Sequence, residues 1–193
     1  DETVDLLREI FQTSNGLTLP ISGTGSAGME AALYNALEPG DTILVGVAGF
    51  FGSRIVDIAK RCDAKAINIS ADWGQTIEPE KIEEALTKHP DTKVVALVHC
   101  ETSTGILQPL EDIGEIVRAH DALFLIDGVA SLGGHDLPVD RLGIDICYSG
   151  SQKCLSSPPG LAPITMSQRA IETVKSRTNP SRSWYLDLSM LDE

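Results

Sequence analysis

The sequence predicts an α/β protein with three layers, α/β/α, around a mostly parallel sheet. Short apolar runs typical of strands alternate with amphipathic stretches typical of helices, and two runs, Val94–Val98 and Ala122–Ile126, are apolar throughout. Strands that alternate with helices favour parallel pairing through right-handed crossovers, and continuously apolar strands are typical of a sheet covered on both faces. The length of 193 residues suits a single domain with a substantial core. We therefore expect one domain over residues 1–193.

The first half of the chain alternates regularly between the two patterns. Apolar residues at helical spacing start at Val4, and the Glu38-Pro39-Gly40 turn ends the second helix. The predicted elements are a helix over Val4–Phe11, a strand over Leu17–Ser22, a helix over Ala27–Leu37, a strand over Thr42–Gly46, a helix over Arg54–Lys60 and a strand over Ala66–Ile69.

The second half continues the alternation. Two of its helices have a proline, Pro79 or Pro109, at their start. Proline costs nothing there, because the N–H groups of the first turn have no partner within the helix. The predicted elements are a helix over Pro79–Lys88, a strand over Val94–Val98, a helix over Leu110–His120, strands over Ala122–Ile126 and Ile146–Tyr148, and a helix over Gln168–Arg177.

Composition and charge exclude several classes of partner. A formal net charge of −13 argues against nucleic acid, because phosphate binding needs a basic face. No apolar run is long enough to cross a bilayer, so we expect no membrane partner, and the N-terminal residues do not resemble a signal peptide. The cysteines have no metal-ligand spacing, so we expect no metal site and reduced thiols, with Cys154 a buried apolar filler. The expected location is the cytoplasm, or a peroxisome or mitochondrion in a eukaryote.

A glycine-rich segment, Ser22–Gly28, follows the first predicted strand and leads into a helix. Glycines permit tight turns, and a helix N-terminus offers free N–H groups and the positive end of its dipole. The segment is therefore a candidate anion site suited to a phosphate. A plain strand-to-helix turn is an equally good interpretation, because neither the Walker A pattern nor a strict GxGxxG fingerprint is present.

Four more segments with candidate chemistry follow predicted strands. They are AGFFG at 48–52, HCETSTG at 99–105, Asp127 with the following GVAS, and SGSQK at 149–153. Each has an ordinary alternative: a core aromatic, structural hydrogen bonding by His99 and Glu101, a turn-capping carboxylate and a surface lysine. Ligands of open parallel sheets bind beyond the carboxyl ends of the strands, where all these segments meet. A phosphate cradle, an aromatic face, a buried carboxylate and a lysine together suit pyridoxal 5'-phosphate.

The sequence resembles the class V pyridoxal-phosphate-dependent aminotransferases, in particular the alanine–glyoxylate and serine–pyruvate (serine–glyoxylate) branch. The matching stretches are SGTGSAGMEAAL, LEPGDTILVG, GFFGSR, HCETSTGILQPL, LFLIDGVASLGG and SGSQKCLSSPPGL. They occur in the family's order and cover nearly all of the chain, which makes the combination specific. The resemblance implies the large domain of a fold-type I enzyme, without the family's N-terminal segment and C-terminal small domain.

The resemblance also implies a role for individual residues. Lys153 is expected to bind the cofactor as a Schiff base and Asp127 to pair with its pyridine nitrogen, and these are the two expected catalytic residues. The cofactor-binding residues implied by the motifs are Thr24, Gly25, Ser26 and Gln152 at the phosphate, Phe51 and Val129 on the two ring faces, and Thr102 near the ring O3′.

The implied activity is ping-pong transamination between a small amino acid, alanine or serine, and a 2-oxo acid, glyoxylate or pyruvate, in a homodimer. Gln152 stands where cysteine desulfurases of the same class usually have His, which favours transamination. The alternatives are another enzyme of this class, such as a phosphonate transaminase, a lyase or a desulfurase, or a cofactor-binding fragment without turnover. For the isolated chain the resemblance implies little or no activity.

Overall fold

A computed structural model describes residues 2–191 and has the expected three layers around one main sheet. The helices are α1 (Glu2–Phe11), α2 (Gly25–Ala36), α3 (Phe50–Arg61), α4 (Pro79–Lys88), α5 (Glu111–Ala119) and α6 (Gln168–Lys175), with a 3-10 turn at Leu188–Leu191. The strands are β1 (Leu17–Ser22), β2 (Thr42–Val47), β3 (Lys65–Ser70), β4 (Thr92–Val98), β5 (Cys100–Glu101), β6 (Ile106–Leu107), β7 (Leu123–Asp127), β8 (Ile146–Tyr148) and β9 (Leu161–Met166).

The main sheet has the strand order β1-β9-β8-β7-β4-β2-β3. Five of its strands pair in parallel: β3 with β2, β2 with β4, β4 with β7 and β7 with β8. Strand β9, absent from the predicted elements, lies between β1 and β8 and runs antiparallel to both. The sheet is therefore mostly parallel, as expected, with one inserted antiparallel strand.

The two faces of the sheet are covered by different helices. Successive residues of strand β2 alternate between the two faces. Ile43 and Val45 belong to one apolar cluster, which includes residues of α2, α3 and α6. Leu44, between them, belongs to the second cluster, with residues of α1, α4 and α5. Burial on both faces explains the continuous apolar runs of the central strands. Because these strands run parallel, their carboxyl ends lie together at one edge of the sheet.

The cysteines differ in their surroundings. Cys62 and Cys147 are buried, whereas Cys154 is exposed, so the expectation of a buried filler at Cys154 is wrong. Its turn runs over the surface, and its thiol donates to the Ala130 carbonyl oxygen at 3.4 Å. Between residues 2 and 191, no helix has the length and apolar content needed to span a membrane.

Candidate functional site

A cavity of about 200 Å³ opens at the carboxyl ends of the central strands. All nine residues singled out in the sequence as cofactor-binding or catalytic line this cavity: Thr24, Gly25, Ser26, Phe51, Thr102, Asp127, Val129, Gln152 and Lys153. They come from five separate segments that the topology brings to one edge. The structure therefore assembles a single site from residues that are far apart in the chain.

The wall formed by the glycine-rich segment is the first turn of α2. Thr24 precedes the helix in an extended conformation, and Gly25 is its first residue. A Cβ on Gly25 would lie 2.9 Å from Cγ2 of Val129, so only glycine allows the loop after β7 to approach the helix this closely. The first N–H groups of a helix have no partner within the helix, and they lie at its positive end. This wall can accept an oxyanion.

The aromatic wall is Phe51 in the first turn of α3. The guanidinium carbon of Arg54 lies 4.8 Å from the centroid of the Phe51 ring, and Arg54 Nη1 donates to Ser26 Oγ at 3.2 Å. Arg54 thereby links the aromatic wall to the first turn of α2. It also lines the cavity, as do Met29 and Cys100, and none of these was among the predicted site residues. The spacing of Arg54, three residues after Phe51 on one helix face, is the signal that could have identified it.

Glu101, the last residue of β5, is a structural residue whose side chain contacts the start of α3. Its side chain is 2% exposed. One carboxylate oxygen accepts the N–H groups of Phe51 and Gly52, at 2.9 and 3.2 Å. The other accepts the N–H and the hydroxyl of Ser103, at 3.1 and 2.6 Å. Glu101 thus joins the aromatic wall to the segment that carries Thr102.

His99 also has a structural role. Its Nδ1 lies 2.9 Å from Ser131 Oγ, and burial, together with the nearby His135, lowers the pKa of His99 to about 4. The imidazole is therefore neutral at physiological pH. Neither His99 nor Glu101 lines the cavity, so their contacts agree with the structural hydrogen bonding considered for them in the sequence.

Asp127 forms the floor of the site at the end of β7. The residue is 3% exposed. Its Oδ1 accepts the Val129 N–H and its Oδ2 accepts the Tyr148 hydroxyl, both at 2.9 Å. Burial raises the pKa of Asp127 to about 6, although both hydrogen bonds act in the opposite direction. With this pKa, the carboxylate can share a proton with a basic group in the cavity.

Lys153 and Gln152 lie in the turn that follows β8. The turn is anchored by Ser151, whose hydroxyl donates to the Pro158 carbonyl oxygen at 2.6 Å, and by the Lys153 N–H, which donates to the Gly150 carbonyl oxygen at 3.3 Å. Lys153 is exposed and lines the cavity together with Asp127. A primary amine therefore shares one cavity with a buried carboxylate, an aromatic ring and a helix N-terminus.

Proteins of known sequence and structure resemble this chain closely. It is 44% identical over 191 residues to the alanine–glyoxylate aminotransferase of Callithrix jacchus, covering 99% of the chain and 46% of the relative. It is 40% identical over 211 residues to the (S)-ureidoglycine–glyoxylate transaminase of Bacillus subtilis, covering 100% of the chain and 50% of the relative. The crystal structure of an alanine–glyoxylate aminotransferase from Nostoc sp. superposes with a TM-score of 0.97 at 49% identity, covering 99% of the chain and 50% of that structure.

The chain spans about half the length of the curated relatives it matches. The resemblance nevertheless extends from one end of the chain almost to the other, because the family model described as aminotransferase class-V matches residues 1–181. The Nostoc sp. structure superposes on the whole fold described above, with its helices on both faces of a mostly parallel sheet. This chain belongs to the class-V aminotransferase family.

Proposed function

We propose that this chain is the cofactor-binding part of a pyridoxal 5'-phosphate-dependent aminotransferase. The observation that carries the proposal is the single cavity that contains Lys153, Asp127 and Phe51 beside the first turn of α2. These groups match the reactive parts of the cofactor: an amine for its aldehyde, a carboxylate for its pyridine nitrogen, an aromatic face for its ring and a helix N-terminus for its phosphate. When bound, pyridoxal phosphate supplies a conjugated ring that accepts the electrons released at the substrate Cα.

The residues around the ring and the phosphate bind and orient. We assign Thr24, Gly25, Ser26 and Gln152 to the phosphate, Phe51 and Val129 to the two faces of the ring, and Thr102 to its O3′ side. The approach of Gly25 to Val129 supports this arrangement, because it places the anion-binding turn beside one ring-facing residue. Such a cradle fixes the orientation of the ring relative to Lys153, and orientation accounts for much of the rate enhancement in enzymes.

Lys153 and Asp127, which line the same cavity, would each control a proton at a different atom. Lys153 would hold the cofactor through its ε-amino group, and as the base it would move a proton between the substrate Cα and C4′ of the cofactor. Asp127 holds a proton on the pyridine nitrogen. The coulombic energy of two unit charges 4 Å apart is about 4 kcal/mol at an effective dielectric of ~20, which is enough to keep that nitrogen protonated.

We assign the substrates from the names of the relatives, since alanine–glyoxylate and ureidoglycine–glyoxylate aminotransferases are both similar to this chain. These names support alanine as a small amino-acid donor and glyoxylate as the 2-oxo-acid acceptor. The sequence resemblance adds serine as a donor and pyruvate as an acceptor. The working unit would be a homodimer, with no nucleic-acid or membrane partner and a cytoplasmic location.

An assay of product formation tests the activity. Since the relatives are about twice as long as the chain, the assay uses both the 193-residue chain and the complete open reading frame that encodes it. With pyridoxal phosphate present, we expect the protein encoded by the complete open reading frame to be active. It should convert alanine and glyoxylate to pyruvate and glycine, or serine and pyruvate to hydroxypyruvate and alanine. We expect little turnover from the 193-residue chain alone. Sulfide release from cysteine, without transamination, would instead identify a desulfurase and contradict the proposal.

The aromatic wall allows a matched pair of substitutions. Phe51→Leu should weaken cofactor binding by about three- to ten-fold, since a ring-stacking contact contributes about 0.5–1.5 kcal/mol beyond its buried area. Phe50→Leu is the control, because Phe50 is 53% exposed and does not line the cavity. Titration with pyridoxal phosphate, followed by its absorbance, measures both dissociation constants. Equal effects of the two substitutions would show that Phe51 does not stack on the ring.

A further inference from the structure

A buried tyrosine hydroxyl lies beneath the floor of the site. Tyr148 is the last residue of β8 and the register partner of Asp127 on the parallel neighbour β7. Its side chain is fully buried, and its hydroxyl donates to Asp127 Oδ2 at 2.9 Å. Tyr148 does not line the cavity, so it reaches the carboxylate from the side of the core. It can therefore act on bound molecules only through Asp127.

The two hydrogen bonds at Asp127 fix the orientation of its carboxylate. The Val129 N–H binds one oxygen and the Tyr148 hydroxyl binds the other. Rotation of the carboxylate about its Cβ–Cγ bond would break both bonds together. Each carboxylate oxygen has a second lone pair, so the group can still accept a further hydrogen bond from the cavity. The carboxylate is thus held in one orientation before any ligand arrives.

The Tyr148 hydroxyl also favours the ionised form of Asp127. An ionised carboxylate only accepts hydrogen bonds, so a donor on each oxygen stabilises the charge that burial disfavours. Other groups near Asp127 have fixed effects on its pKa: Glu101 raises it and Arg54 lowers it. The neighbouring Cys147 thiol and the Tyr148 hydroxyl remain protonated at physiological pH, because burial raises the pKa of each.

The ring of Tyr148 is held by packing that does not depend on its hydroxyl. It belongs to the apolar cluster beneath α2. A Cβ on Gly28 of that helix would lie 3.3 Å from both Cβ and Cδ2 of Tyr148, so the missing side chain lets the helix rest directly on the ring. Removal of the hydroxyl alone should therefore leave the ring in place. The hydroxyl can be tested without disturbing the core.

We propose that Tyr148 is a positioning residue, whose buried hydroxyl orients the Asp127 carboxylate and keeps it ionised for the pyridine nitrogen of the cofactor. The inference rests on the proposed function for the identity of the ligand. The contact between Tyr148 and Asp127 itself does not depend on that function, so the two can be tested separately.

The test is Tyr148→Phe, with Tyr185→Phe as the control, because Tyr185 is 66% exposed and its hydroxyl reaches only the Ser22 carbonyl oxygen at 3.5 Å. In cofactor-free protein, the carboxyl carbon of Asp127 is titrated by carbon-13 NMR, with Asp127→Asn to assign its signal. We expect its titration midpoint to rise by about one pH unit in Tyr148→Phe, given the usual strength of a hydrogen bond to a charged group, and to stay unchanged in Tyr185→Phe.

A second measurement uses the complete enzyme loaded with cofactor. We expect the kcat of Tyr148→Phe to fall by about ten-fold, the factor that corresponds to one pH unit, while the KM for the amino acid stays unchanged. An unchanged carbon-13 midpoint in a folded Tyr148→Phe protein would overturn the positioning role, whatever the enzyme does. A shifted midpoint in a protein that binds no pyridoxal phosphate would instead refute the proposed function and, with it, the role of Tyr148 toward the cofactor.

Discussion

Replacement of Lys153 by alanine should abolish covalent attachment of pyridoxal phosphate and lower turnover by at least about 1,000-fold, because a positioned acid–base group alone contributes about 10²–10⁴-fold. The lysine lies in the turn after β8 and lines the cavity that contains Asp127. The cradle formed by α2 and Phe51 is left intact in this variant. We therefore expect noncovalent binding of the cofactor to persist while its covalent bond to the protein is lost.

Borohydride reduction followed by peptide mapping measures the covalent bond directly. In the unmodified protein the pyridoxyl adduct should lie on Lys153, and no adduct should form in Lys153→Ala. Lys153→Arg keeps the positive charge but should behave like the alanine variant, since a guanidinium neither condenses with the aldehyde nor releases a proton at neutral pH. Lys81→Ala, an exposed position on α4, is the control and should retain full activity. An adduct on any other lysine would contradict the assignment.

Local sequence signals predicted those elements whose ends are defined by their own residues. The helix Pro79–Lys88 was predicted with its observed bounds, because Pro79 at its first position marks the start. The strand Ile146–Tyr148 was likewise predicted correctly, as a short apolar run between polar turns. The periodicity of apolar residues also sufficed for the layer arrangement, since burial on one or two faces follows directly from it.

Elements that depend on distant residues were predicted less well. The helix expected over Arg54–Lys60 begins earlier, at Phe50, because Glu101 accepts the N–H groups of its first turn from fifty positions away. No local pattern could indicate this capping contact. Strand β9 was not predicted. In the structure its Pro163 is the register partner of another proline, Pro20 of β1, so neither residue has an N–H to leave unpaired.

The site was predictable because strand ends in this fold converge on one edge. Each segment alone had an ordinary interpretation, and the choice between them came from the expected parallel sheet. All nine predicted residues line the observed cavity, although their individual roles remain predictions. Arg54 and Tyr148 were missed for different reasons. Arg54 was not singled out, although its spacing from Phe51 places both residues on one face of α3. Tyr148 reaches the site only through a buried hydrogen bond to Asp127.

Replacement of Asp127 by asparagine should lower turnover and yet stabilise the cofactor-free protein at neutral pH. The amide oxygen can accept the Val129 N–H, and the amide nitrogen can donate to the Tyr148 hydroxyl oxygen, so the side chain fits the same contacts. It cannot carry the negative charge that holds a proton on the pyridine nitrogen. Loss of about 4 kcal/mol of charge interaction corresponds to a roughly 1,000-fold fall in kcat, with the cofactor retained by the remaining ligands.

The stability effect follows from the raised pKa of Asp127, about 6 in the folded protein. In the unfolded chain an aspartate has a pKa of ~3.9. The folded state therefore binds this proton more tightly, and the contribution of Asp127 to stability falls as the pH rises from ~4 through 6, by up to about 3 kcal/mol. The lowered pKa of His99 contributes in the opposite direction over the same pH range, so urea unfolding between pH 4 and 8 is compared between proteins. Relative to the cofactor-free wild type, Asp127→Asn should alter the pH dependence of stability by gaining up to about 3 kcal/mol as the pH rises. Asp112→Asn, at an exposed position on α5, should leave it unchanged. Turnover of Asp127→Asn near that of the wild type would show that the carboxylate does not hold the pyridine proton. A pH dependence of stability equal to that of the wild type would show that burial does not raise the pKa of Asp127.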